Sequence, residues 1–198
     1  WYTANYLFER PWIYPENDYM TYFQSGVNFT NNIQLAKSSE VGSFRMSYTN
    51  SDITGITPNS HLKRNTVSFS GTSIFNKYLD GWAAMNYVNN NTLGRPETGY
   101  GDRNPVQKMW QWSQTSLDYK ALRSYENPDG SQRTWNRSSY DDGTPLYTDN
   151  PFWSAYKNYQ NDRRNRVYGN AGINLKLTDW FKITGRVGLD YFNLSMEE

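Results

Sequence analysis

Residues 170–192, NAGINLKLTDWFKITGRVGLDYF, repeat with a period of two: every odd position except Asp179 and Gly185 is apolar, and nearly every even one is polar or glycine. Successive side chains of a β-strand point to opposite sides of a sheet, so this pattern gives one greasy face and one wet face. Ala171, Ile173, Leu175 and Leu177 lie on the first, followed by Phe181, Ile183, Val187, Leu189 and Tyr191. Asn170, Asn174, Lys176, Lys182, Thr184, Arg186 and Asp190 lie on the second. Directly opposed residues in an antiparallel pair share a face, so Leu177 can meet Phe181 only across an odd number of residues. Thr178, Asp179 and Trp180 supply that turn, although they lack the glycine that three-residue turns usually carry.

Two further hairpins pass the same parity test. Val27, Phe29, Ile33 and Leu35 lead through SSEV at 38–41 to Phe44, Met46 and Tyr48, placing Asn28, Thr30, Asn32 and Gln34 on one face with Ser43, Arg45, Ser47 and Thr49. Phe69, Gly71, Ser73 and Phe75 run into NKYLD at 76–80, and Gly81, Ala83, Met85 and Tyr87 return. The polar face of that pair carries Thr66, Ser68, Ser70 and Thr72 opposite Trp82, Ala84 and Asn86. About six strands in three hairpins follow, within 27–90 and 166–198, after a lead-in segment at 1–26. Short turns at 38–41, 76–80 and 178–180 alternate with long connections at 51–63 and 91–165.

Alternation alone does not separate a lipid-facing sheet from one buried in a soluble sandwich. The aromatics separate them better. Phe44, Phe75, Trp180 and Phe181 lie towards the short turns, while Phe29, Tyr48, Tyr87 and Tyr191 lie towards the long connections. From Phe181 to Tyr191 a strand rising ~3.3 Å per residue and tilted by ~40° climbs about 25 Å, the height of the apolar band of an outer-membrane barrel. Two aromatic girdles, with short turns at one end and long loops at the other, predict an all-β, antiparallel transmembrane β-barrel segment. The low mean hydropathy of −0.91 is compatible with that, because lipid meets only alternate residues.

Charge is nearly balanced, with 20 Lys and Arg against 19 Asp and Glu, so no summed field favours nucleic acid. No cysteine and a single histidine argue against thiolate chemistry and most transition-metal sites, and no cofactor is expected. There is no apolar run long enough for a transmembrane helix, and WYTANYLFERPW at the start lacks the features of a signal peptide.

Periodicity disappears between 91 and 165. Within that stretch Asn104 reads as a helix N-cap with Pro105 at the first helical position, and Val106, Met109, Trp110, Ser113 and Leu117 follow at helical spacing. Leu117, Ala121, Leu122 and Tyr125 continue it, predicting one or two short helices over the mouth of the barrel. Trp110, Trp112, Trp135, Tyr140 and Trp153 are the candidate substrate-binding residues, their flat rings suiting apolar ligand faces while neighbouring amides and guanidinium groups bond to polar edges. The competing reading makes these rings the loop's own small core. NPDG at 127–130 and DDG at 141–143 lack the carboxylate ladder of a calcium loop and read as turns. His61 has no serine and aspartate partners in view, and nothing carries an enzyme signature, so covalent catalysis is not expected.

Several ordered stretches, YFQSGVNFTNNIQLA, GSFRMSYTNSDITGITPNSHLKRNTVSFS, NYVNNNTLGRPETGYGDRNPVQKMWQW, DGSQRTWN, DNPFW and NRVYGNAGINLKLTDWFKITGRVGLDYF, resemble the SusC/RagA family of TonB-dependent transporters of Bacteroidetes. The resemblance runs from about Pro15 onward and rests on the order of these words more than on any one of them. It implies a 22-stranded barrel in the bacterial outer membrane, energised by TonB and importing oligosaccharides or oligopeptides beneath a SusD-like surface lipoprotein that acts as a lid. Neither the plug domain nor a TonB box is recognisable in this chain, so TonB contact is expected through parts outside it, and outer-membrane lipid is the partner expected on the apolar face. Six strands with open edges are fewer than the eight of small membrane barrels, which fits a slice of a larger wall. Two alternatives stand beside this: a soluble β-sandwich that binds carbohydrate, and an outer-membrane adhesin or scaffold without transport.

Overall fold

The computed structural model describes residues 13–101 and 103–197. The start of the lead-in segment, including WYTANYLFERPW, and Glu198 lie outside the described residues. Six strands form one antiparallel sheet in sequence order: β1 (Val27–Ser39), β2 (Gly42–Thr54), β3 (His61–Asn76), β4 (Leu79–Arg95), β5 (Gln160–Lys176) and β6 (Lys182–Glu197). Helices α1 (Pro105–Trp112), α2 (Tyr119–Leu122) and α3 (Pro151–Tyr156) all fall between β4 and β5.

The shared faces that parity predicts are kept, although turns tighter than expected shift the partners within the first two hairpins. Ile33 lies opposite Tyr48, Phe69 opposite Met85 and Val167 opposite Tyr191, so the period-two faces stay in phase across all six strands. The strands nevertheless run further than the apolar pattern does, because backbone pairing continues where both faces have become polar. Strand β4 extends to Arg95 and β5 starts at Gln160, which shortens the expected connection 91–165 to 96–159. The expected long connection 51–63 contracts to 55–60 for the same reason. At the other end, the hairpins expected to turn over 38–41 and 76–80 turn over Glu40–Val41 and Lys77–Tyr78. In the second, Asn76 Oδ1 accepts from the amides of Tyr78 (2.8 Å) and Leu79 (3.0 Å), and a bulge between Ile74 and Asn76 absorbs the change in register.

The register also corrects the two aromatic girdles. Ile33, Tyr48, Val67, Tyr87, Val167 and Tyr191 share one row, whereas Phe29 lies beyond it opposite Asp52. Phe44 shares a row with Gly71, Ala83, Ala171 and Val187, well inward of Phe181. The lower border of the apolar band is therefore stepped, from Phe181 just before β6 to Leu35 on β1. One row beyond the tyrosines stands a line of asparagines, one on each strand: Asn31, Asn50, Asn65, Asn89, Asn165 and Asn193.

Among the described residues, nothing covers either face of the sheet. Ile33 is 74% exposed and Val187 68%, and every residue of β1 and β6 is exposed. The buried cluster lies instead in the connection 96–159 together with the segment before β1: Met109, Leu117, Tyr119, Leu122 and Phe152 pack on Tyr22. We call this folded connection the cap. Burial of such side chains contributes about 1.5–3 kcal/mol each, which is what allows so long a connection to hold a shape.

Helix caps explain where the cap folds locally. Asn104 Oδ1 accepts from the Gln107 amide (3.1 Å) with Pro105 following, and Asp118 accepts from the amides of Lys120 and Ala121 to start α2. Of the one or two short helices expected over this stretch, two form: the extended backbone of Ser113 ends α1, and α2 follows after Asp118. The unexpected α3 repeats the Asn-Pro device, with Asn150 Oδ1 accepting from Phe152 N at 2.9 Å. The cap is tied to the sheet end by Asn59 Nδ2, which donates to Ala155 O (2.8 Å). Gly94, at φ 60°, passes so close to the Asn59 carbonyl that a Cβ there would lie 2.0 Å from it.

Candidate functional site

The sheet's polar face is built by the residues of the opposite phase. Arg45 Nη2 donates to Gln34 Oε1 (2.5 Å), Ser68 Oγ to Asn86 Oδ1 (2.7 Å) and Thr184 Oγ1 to Asn174 Oδ1 (2.8 Å). Thus amides and hydroxyls are linked across neighbouring strands rather than left as isolated side chains. Towards the cap the face becomes charged: Arg166 pairs in a fork with Asp190, and Arg95 with Asp162 (2.7 and 2.9 Å). Trp82 is the one tryptophan of this face. Its indole lies across Gly172, where a Cβ would meet the ring at 2.2 Å, and its Nε1 donates to Asn170 Oδ1 (3.2 Å).

The five candidate residues of the cap do not converge on one site. Trp110 stands on α1, 72% exposed, with its ring 5.3 Å from that of Tyr19. The two rings border a cleft of about 220 Å³ whose other walls include Tyr14, Asp18, Ser113 and Gln114. Trp112, two residues on and directed away from Trp110 by helix geometry, stacks on Tyr147 at 5.1 Å and 15°. Tyr147 itself has φ 63°, a left-handed conformation that costs a non-glycine residue of order 1–2 kcal/mol. Trp135 packs against the buried cluster, and Trp153 is half-buried beside Tyr125, with ring centroids 6.3 Å apart. Tyr140 is exposed on the separate turn 137–145. Trp135 and Trp153 therefore serve the cap's packing, while Trp110, Trp112 and Tyr140 present ring surface in different places.

Burial raises the phenol pKa of Tyr22 and of Tyr119, the latter tempered by its hydrogen bond with Ser113 Oγ (2.7 Å). Both phenols stay neutral and act as packing groups. Tyr14 Oη donates to Asp18 Oδ2 at 2.6 Å, which lifts the Tyr14 pKa to about 12, and the Asp18 side chain stands at the rim of the Trp110 cleft. Flat rings, an acid and the amide of Gln114 make this cleft able to stack on a ring or an apolar edge and accept hydroxyl or amide hydrogens. The two turns weighed as calcium loops use their acids internally: Asp129 accepts from Ser131 N and Oγ, and Asp142 from Thr144 N and Oγ1.

Residue-level reading missed the cleft's Tyr14, Asp18 and Tyr19, which come from the lead-in segment. Tyr119 N donates to Asn17 O (2.9 Å), so a backbone bond brings that distant segment alongside the cap. The asparagine line was also missed, although Tyr-x-Asn recurs at 48–50, 87–89 and 191–193, once in each strand that runs towards the cap from a short turn. Neither protein-family models nor curated proteins give a match to this chain.

Proposed function

We propose that this chain is a section of the wall of a transmembrane β-barrel, in a bacterial outer-membrane importer of the SusC/RagA kind, with the cap on the external side. The observation that carries the reading is the open apolar face: side chains that a sandwich would bury, such as Ile33, Leu35, Val187 and Leu189, are exposed, with no second layer among the described residues. Lipid supplies the missing partner. The opposite face, with its linked hydroxyls, amides and ion pairs, suits a water-filled interior, and the stepped lower border of the apolar band is what tilted strands produce in a level membrane. Further strands at the β1 and β6 edges close the wall.

In this reading the polar face and Trp82 line the import path for an oligosaccharide or oligopeptide, and the Trp110 cleft contacts that ligand or a SusD-like lid. Energy comes from TonB acting on parts of the protein outside this chain, and the chain performs no covalent chemistry. Cysteines placed at Ile173 and Leu175 in the full-length protein are expected to react with lipid-phase reagents and resist aqueous ones, and cysteines at Ser47 and Thr49 to do the reverse. Aqueous labelling of the first pair would sink the orientation. Removal of 104–160 is expected to abolish growth on the imported nutrient; normal growth would favour an adhesin or scaffold.

A further inference from the structure

Strands β3 and β5 carry the same device at the outer edge of the apolar face. In KRNTV (63–67) and RRNRV (163–167), alternate residues give a cation, an asparagine and a valine on one side of the sheet: Lys63, Asn65 and Val67, then Arg163, Asn165 and Val167. The valines lie in the tyrosine row, the asparagines in the next and the cations in the one beyond. Each asparagine is held in the same way by the strand before it. Asn65 Oδ1 accepts from Tyr48 Oη (2.7 Å) and Asn50 Nδ2 (2.9 Å); Asn165 Oδ1 accepts from Tyr87 Oη (2.9 Å) and Asn89 Nδ2 (2.7 Å).

With both lone pairs of Oδ1 in use, what Asn65 and Asn165 still offer is the amide nitrogen, a two-proton donor, and next to it on the same face stands a cation. Lys63 is 59% exposed and only loosely held, 3.8 Å from Asp52, which also lies 3.1 Å from His61 Nε2. A fixed amide donor beside a mobile cation, at the edge of a hydrocarbon-facing surface, has the chemistry of a phosphate site.

We propose that these two units each bind one phosphate of an anionic lipid headgroup. The proposal rests on the reading of this face as the membrane surface. The units are two strands apart, about 10 Å, and a tilt of ~40° offsets them by roughly 6 Å along the membrane normal, about the depth of one headgroup layer. Tyr48 and Tyr87 have two tasks in this arrangement: their rings close the apolar band, and their hydroxyls set the orientation of the amides above.

The experiment uses the full-length protein in phosphatidylcholine nanodiscs, with and without phosphatidylglycerol, and measures retained lipid by mass spectrometry. Lys63→Gln with Arg163→Gln is expected to weaken phosphatidylglycerol retention about tenfold, the loss of a charge-assisted contact. Lys37→Gln, at the opposite end of the same face, is expected to leave retention unchanged, and Lys63→Arg with Arg163→Lys to preserve it. Unchanged retention in the double glutamine variant, while Leu189→Cys stays shielded from aqueous maleimide, would overturn the headgroup site and leave the membrane wall standing. Aqueous labelling of Leu189→Cys would overturn both. Displacement of the lipid by inorganic phosphate at matching concentration would overturn a lipid source for the phosphate.

Discussion

The sheet and the cap use the same kinds of residue to opposite ends. In the sheet, large apolar side chains are arranged with strict regularity and left open, Ile33 at 74% exposure; in the cap they follow no period and are buried, Tyr22 at 1% and Phe152 at 3%. Regular alternation produces a surface, and a surface needs something outside the chain to lie against. The irregular connection is the region that builds a core of its own, so a long loop between strands need not be slack. The two regions should accordingly respond to opposite substitutions: truncation hurts the cap, and charge hurts the sheet.

The largest effect is expected from Phe152→Ala. Phe152 packs edge-on against Tyr22, ring centroids 5.1 Å apart, inside the buried cluster, and its truncation is expected to cost about 3–5 kcal/mol. Limited proteolysis of the full-length protein should show cleavage within 96–159 while the strands stay protected. Loss of both together would mean that cap and sheet form one cooperative unit, joined more firmly than Asn59 and its neighbours indicate. The same kind of truncation at Leu35, 63% exposed, leaves no cavity because lipid closes over it, and is expected to cost less, about 0.8 kcal/mol for each apolar carbon removed from lipid contact.

Charge reverses the order. Leu189→Arg places a guanidinium in the middle of the apolar face and is expected to cost about 2–4 kcal/mol for folding into a bilayer. Ser47→Arg, on the polar face, should be close to neutral in the same vesicle-folding titration. Equal tolerance of both would remove the distinction between the two faces on which the membrane reading depends.

Asn150 is the next test, because it sits where the cap's separate turns meet. It is fully buried; its Nδ2 donates to Leu122 O and Arg133 O, both at 2.9 Å, and its Oδ1 caps α3. Asn150→Ala removes a helix cap and leaves two carbonyls without partners, an expected loss of about 2 kcal/mol. Chemical denaturation should register it, together with faster amide exchange at Phe152 and Ser154. An unchanged transition would show that the carbonyls reach water.

What could be read in advance follows the same division. Parity fixed the face on which Ile33, Phe69 and Val167 lie because side-chain phase survives an error in strand length, but it left the partners open: turns tighter than expected pair Ile33 with Tyr48 and Phe69 with Met85. Strand ends were less legible, since Arg95 and Gln160 pair through backbone atoms that no side-chain pattern reports. Asn104-Pro105 announced α1, and the same pair at Asn150-Pro151 announces α3 once both are set side by side. The Trp110 cleft was legible only in part: its tryptophan stood out, but Tyr14, Asp18 and Tyr19 join it through long-range contacts. Composition likewise did not separate Trp135, which packs inward, from Trp110, which does not.

The smallest effect expected is confined to the cap's turns. Asp129 accepts from Ser131 Oγ (2.6 Å) and Ser131 N (2.9 Å), and these bonds hold its carboxyl below the ordinary value of 3.8. An acid whose pKa falls on folding contributes stability that is fully present above its unfolded value and is lost as the pH drops through the folded one. The turn is also closed by Asn127 N donating to Ser131 O (2.9 Å), and Gly130 at φ 83° lets the chain reverse there. We therefore expect amide exchange at Ser131, corrected for its intrinsic pH dependence, to be constant down to about pH 4 and to quicken below it, with global unfolding unmoved because the group is fully exposed. Asp129→Asn should remove that acid step, and Asp142→Asn should do the same at Thr144, where Asp142 accepts the equivalent pair of bonds. A loosening that begins nearer neutral pH would mean that these turns are held from the buried cluster rather than by their own aspartates, and that the cap is less divisible than its separate turns imply.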